Sequence, residues 1–352
     1  MTGSDIRRRA ILGAGIAAGA LAALPRRLGA QSQNLVVSTF PGTWNEAHRE
    51  ILAPYFRKQT GASVTQTILL ATDQVTRLQA AQAGKNPPPF DVSILDEGPL
   101  LDAVKAGVLE KFPVDKSEHF KDLLPPFQDE WGPKISIQVI GIGYNPKKIK
   151  TPPKSWDDLW NPAYKGRVGL TALNSSLGMA FMVDLARVRG GSETAIEPAF
   201  KALRELLPNV GAISANLGAH AALFQQEQVD IAPYNFNFVQ TLKEKGVDVE
   251  FVKPQTGAAA WRTSLHIVKG ATLPDLALKY IDGHIAPEVQ SEMQKSPFFV
   301  IPTNRKVSIG ERVAKNIAAT PDDFGKLVWQ DWSKINQQRG EWIERFNREI
   351  KL

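Results

Sequence analysis

Six clusters of polar and aromatic residues could do chemistry in this chain: Phe40, Thr43 and Trp44; Thr72 and Asp73; Asp96 and Glu97; Asn174, Ser175 and Ser176; Tyr234, Asn235 and Asn237; and Trp261, Arg262, Thr263 and Ser264. Most lie at or just beyond the C-terminal end of a predicted strand, where ligands sit in open α/β sheets. The residue types suit binding. An aromatic face can stack on a ligand or cap a cation, for about 0.5–2 kcal/mol per cation–π contact. Amides and hydroxyls add directional bonds, and helix N-termini after such loops favour a carboxylate or phosphate. Taken singly, each residue also has a plain structural reading: Trp44 and Trp261 as core aromatics, Asp73 as a helix cap.

The residues that catalysis or a cofactor would need are missing or badly spaced. The chain has no cysteine, which excludes disulfides, thiolate metal sites and a cysteine nucleophile. It has no G-x-S-x-G elbow and no phosphate-binding G-x-x-x-x-G-K. His48, His119, His220, His266 and His284 show no metal-ligand spacing. Gly141-Ile142-Gly143 lacks the third glycine of a dinucleotide fingerprint, with Pro146 in its place. No adjacent tyrosines offer a ferric-iron site. No cofactor and no metal are expected.

The elements that must position the clusters form a repeating pattern. Strand candidates at 35–39, 63–69 and 90–95 alternate with helices at 45–59, 74–83 and 100–107, the second capped by Thr72-Asp73. This is an α/β unit with mostly parallel pairing. Residues 135–144 are long for one strand, which suits a strand that leaves one lobe and enters another. A second α/β set follows: Val168-Gly169-Leu170, helices at 177–189, 194–206, 218–227 and 238–245, and strands at 230–232 and 247–252. Residues 261–268 form a second crossing run, and helices follow to the end. The spacing divides the chain into lobe 1 (34–140 and 266–305), lobe 2 (141–265) and C-terminal helices (306–352) packing across or on lobe 2.

Length gives a prior of two domains at about 150 residues each, from 352 residues. The net charge of +6 would suggest nucleic acid only if it were patterned. Residues 1–30 carry five arginines against Asp5, a net of +4, leaving 37 basic and 35 acidic residues in the rest. Those are interspersed, so no nucleic-acid partner is expected. The basic start precedes the apolar run 10–24, too short for a membrane span of about 20 residues. With Arg8-Arg9 ahead of it and Leu28-Gly29-Ala30 behind, it reads as a twin-arginine export signal cleaved after Ala30. The mature chain is expected free in the periplasm, as a monomer.

Several segments carry a resemblance. Ser155-Trp156-Asp157-Asp158-Leu159-Trp160 with residues 161–168, Gln226 to Ala232, Pro302-Thr303-Asn304, and the Val36-Val37-Ser38 strand with its aromatic loop resemble the periplasmic solute-binding proteins of ABC importers, in the spermidine/putrescine-binding class. The resemblance implies a two-lobed α/β fold of the type II periplasmic binding protein, with ligand in a cleft between lobes joined by crossing strands. It implies capture of a small polar solute by closure and delivery to an inner-membrane ABC permease. It also implies cleft-lining roles near Thr43 and Trp44, at Asp96, at Ser175 and Ser176, and at Tyr234 and Asn235, with Trp261 stacking on the ligand. Polyamine binders carry an acid two residues after that tryptophan, where this chain has Thr263 beside Arg262. Three solute classes stay open: polyamine, amino-acid-like compound and organic anion. The competing class is an exported enzyme with Asp96, Glu97 or His266 as its base.

Overall fold

The structure, a computed structural model, describes residues 33–352. The export signal expected at 1–30 lies outside them. Among the described residues no helix is long and apolar enough to cross a membrane.

Ten strands order the described residues: β1 (Asn34–Thr39), β2 (Ser63–Ile68), β3 (Val92–Asp96), β4 (Lys134–Tyr144), β5 (Val168–Thr171), β6 (Val210–Ser214), β7 (Ile231–Asn235), β8 (Glu250–Val252), β9 (Ala259–Ile267) and β10 (Val328–Trp329). They pair in the order β2-β1-β3-β9-β4-β7-β5-β6, with β8 on β4 and β10 on β9. The βα units pair in parallel, β1 with β2 and β3, and β5 with β6 and β7. The long strands β4 and β9 run antiparallel to each other and to β7, β8 and β3, while β10 joins β9 in parallel.

β4 accounts for its own length. Its first part, through Val139, pairs with β9; from Ile140 to Tyr144 it pairs with β7 and β8. All eleven of its residues are buried, as a strand between two half-sheets must be. The chain passes along β4 from one half of the sheet to the other, and β9 brings it back to β3.

Local sequence explains the segment before β5. Ser155 caps the short helix Trp156–Trp160 through a capping box with Asp158. The Trp156 indole donates to Asp184 at 2.7 Å, and the wholly buried Asp184 also accepts from Arg187 at 2.8 Å. Arg167 forks onto Asp230 at 2.7 and 2.8 Å, tying the start of β5 to the start of β7.

The C-terminal helix Trp332–Glu349 touches both halves. Trp332, Asn336 and Arg339 recur at helical spacing, so they share one face. Asn336 donates to the Gly98 carbonyl at 2.6 Å, on the helix Glu97–Ala106. At the other end Arg345 stacks 3.9 Å over Phe200 and pairs with Glu197, while Glu349 pairs with Arg204. The helix Glu197–Leu206 belongs to the second half.

Candidate functional site

The C-terminal ends of β1, β2, β3, β5 and β6 all lead to one cleft. Phe40 and Pro41 follow β1; Leu70, Ala71 and Thr72 follow β2; Asp96 ends β3; Asn174 to Leu177 follow β5; Leu217 follows β6. Gln138 of β4 and Trp261 of β9 are paired across their strands and contribute too, with Trp44 and Arg339 completing the lining. The cleft holds about 480 Å³ of free space counted to its open mouth. It is a slot lined from both halves of the sheet.

Strand period decides which candidates reach it. Successive residues of a strand point to opposite faces. On β9, Trp261 turns into the cleft, and Thr263, on the same side, donates to Asp96 Oδ1 at 2.7 Å. Arg262 turns the other way. It pairs with Glu97 at 2.7 Å, and its guanidinium lies 3.9 Å from the centroid of Trp329. Arg262 and Glu97 thus pair with each other outside the slot lining. On β7, Asn235 sits behind the lining and donates to Gln138 at 3.0 Å, while Tyr234 stacks on Phe224 with 5.7 Å between centroids.

Other expected residues have structural work. Thr43 is buried 3.3 Å from the Thr241 hydroxyl, and Asn237 gives its carbonyl to that same hydroxyl. Asp73 is exposed in the first turn of the helix Ala71–Ala83, whose N-cap is Leu70, so Thr72 and Asp73 do not cap it. Ser264 and His266 bond each other at 2.7 Å, and burial pulls His266 down to about 4, outside the slot. Of the expected residues, Phe40, Trp44, Thr72, Asp96, Asn174, Ser175, Ser176 and Trp261 line the slot. Thr43, Asp73, Glu97, Tyr234, Asn235, Asn237, Arg262 and Thr263 do not.

The charge inside the slot is simple. Among the described residues its charged lining residues are Asp96 and Arg339. Burial pushes the Asp96 carboxyl up, and the hydroxyls of Ser176 and Thr263 hold it back. Burial pulls the Arg339 guanidinium down, against the charges of Asp102 and Asp96. Arg339 Nη1 is 3.6 Å from Asp102, beyond hydrogen-bond length, and its Nε has no partner. Helices Ala71–Ala83 and Ser176–Val188 begin at the slot with no side chain capping them. Gly178 lets the second of these seat tightly, since a Cβ there would lie 2.4 Å from the Thr171 and Ala172 carbonyls.

Arg339 and Gln138 were not foreseen from the sequence. An arginine on an amphipathic helix reads as a solvated residue, and a glutamine inside a buried strand carries no motif. The one available signal for Arg339 was its place on the face shared with Trp332 and Asn336.

Residues 88–338 match the family model described as bacterial extracellular solute-binding protein. The spermidine/putrescine-binding periplasmic protein of Escherichia coli (strain K12) is 25% identical over 299 residues, covering 79% of this chain and 82% of that protein. The gamma-aminobutyric acid-binding protein of Pseudomonas aeruginosa is 24% identical, covering 74% of each. The solved structure of the periplasmic binding protein AgtB from A. tumefaciens R10 in complex with agropinic acid superposes with a TM-score of 0.75 at 20% identity, covering 90% of this chain and 98% of that one.

Proposed function

From the premise that the chain belongs to the bacterial extracellular solute-binding protein family, we propose that it is the periplasmic receptor of an ABC importer. That family is one of solute-binding proteins, not of enzymes. The receptor captures a small polar organic solute in the slot and delivers it to a membrane permease. The observation that carries this reading is the convergence of strand ends from both halves of the sheet on one slot lined by two buried tryptophans. The named ligands of the relatives include a polyamine and two acids, so amino-acid-like and polyamine-like solutes both fit this level of description.

The mechanism is closure. A solute touching both halves stabilises the arrangement in which they meet, and only that differential affinity shifts the population. We take lobe 1 as residues 34–140 and 266–305, lobe 2 as 141–265, and the C-terminal segment 306–352 as packing across them. The partner switch in β4 at Val139–Ile140 supports the first boundary. The receptor acts as a monomer once its signal is removed. An affinity near 1 μM needs about 8 kcal/mol net, within reach of two aromatics and several hydrogen bonds.

A thermal-shift screen against polyamines, amino acids, γ-amino acids and organic acids tests this. A solute at a hundred times its dissociation constant stabilises by about 2.7 kcal/mol, and calorimetry should then give one site. Chemical turnover of a stoichiometrically bound solute would instead favour an exported enzyme using Asp96 in the same slot.

A further inference from the structure

The slot is provided with one anionic and one cationic group, and the cation still has donors to give. Arg339 reaches it from the C-terminal helix and is 6% exposed, with its Nε unpartnered. A buried guanidinium without full pairing is costly, and a planar fork of donors matches a carboxylate. The helix Ser176–Val188 begins at the same slot with thirteen residues and no side-chain cap. Its N-terminus adds a partial positive charge of roughly +0.5 and free N–H groups. Asp96, 7% exposed, is the single acid of the lining among the described residues.

We infer that the solute is a zwitterion, its carboxylate held between Arg339 and the N-terminus of the helix Ser176–Val188 and its ammonium held by Asp96. The inference rests on the receptor reading above and narrows it. A polyamine would bring a second ammonium into a slot whose remaining charge is a guanidinium, leaving like charges buried together. A dicarboxylate would set its second anion against Asp96. Asp102, the other acid near Arg339, has a side chain 47% exposed and lies outside the slot lining, where water screens it. A net-neutral solute leaves no buried charge unpaired.

The test is calorimetry on the full chain with a panel of α-amino acids, ω-amino acids, and the diamines, monoamines and dicarboxylates of matched carbon chains. The expected result is a zwitterion bound at least about a hundredfold more tightly than its matched diamine or dicarboxylate. In Arg339→Gln the preference for the zwitterion over the matched monoamine should fall about tenfold or more, because only the zwitterion uses the guanidinium. Asp102→Asn, which removes only the neighbour outside the slot, should keep that preference. If Arg339→Gln does not fold, the same ratio is read in Arg339→Lys, where the lost fork should lower it about tenfold. A diamine or dicarboxylate bound as tightly as the zwitterion, or an unchanged ratio in the folded Arg339 variant, overturns the inference and leaves the receptor standing. Binding of no panel member by folded protein overturns the receptor reading, and the inference with it.

Discussion

Thr263 donates its hydroxyl hydrogen to Asp96 at 2.7 Å across the β9–β3 pairing, where the two residues stand directly opposite each other. The bond keeps the one buried acid of the slot closer to its charged form than burial alone would allow.

Thr263→Val should therefore weaken any ammonium-bearing solute. A hydrogen bond to a charged group contributes about 1.5–3 kcal/mol, so a loss of roughly tenfold or more is expected. The Asp96 carboxyl should move further up, so the pH at which binding is half lost should rise as well. Calorimetry across a pH series reads both, and an unchanged pH profile would break the link between Thr263 and the binding charge.

Gly42 holds a second relationship, between the two halves of the chain. Its φ is +85°, and a Cβ there would come within 2.9 Å of the Phe238 ring on the helix Phe236–Glu244. Glu46 and Lys245 pair nearby at 3.0 Å. Gly42→Val adds backbone strain and pushes the ring away, so the close approach of the halves should become harder. Affinity should fall about tenfold, the equivalent of roughly 1.4 kcal/mol, while the melting temperature without solute changes less. Small-angle scattering with and without solute checks the cause: an equally compact, equally tight-binding variant would mean that this contact plays no part in closure.

Four buried histidines make the fold acid-sensitive. Burial holds His220 and His266 at about 4 and His284 at about 3, and pulls His48 well below its ordinary value, with His284 adding to the effect. Unfolded, each titrates at about 6.5. Between those values the unfolded chain binds more protons than the folded one, so stability rises with pH there. The contribution is fully present above about pH 6.5 and is lost as pH falls toward 4, by at most about 1.4 kcal/mol per pH unit for each histidine. Urea midpoints measured from pH 7 to pH 4 should fall steadily. His284→Phe should flatten the curve, since a neutral ring of similar size leaves nothing to protonate.

The pattern of strands and helices was readable because burial imposes periods of 2 and 3.6 on apolar residues. β1 to β3, the helices between them, and the long strand crossing between half-sheets follow from that spacing. Several candidate site residues were legible for the same reason: Phe40, Asp96, Ser175 and Ser176 stand at strand ends, and strand ends carry ligand loops. The failures were of facing. Arg262 is adjacent to Trp261 in the chain and opposite to it in the sheet. Tyr234 stands at a strand end, yet its ring is taken up by Phe224.

The sequence by itself determined the α/β architecture, the absence of cysteine chemistry and the near-neutral balance beyond residue 30, because these depend on composition and local period. Only the tertiary structure decided the charge of the slot. Arg339 lies more than two hundred residues from Asp96 and becomes its neighbour because Trp332 and Asn336 seat the last helix on the helix Glu97–Ala106. That placement is a matter of long-range packing, and no local pattern encodes which of 42 basic residues the packing will bury.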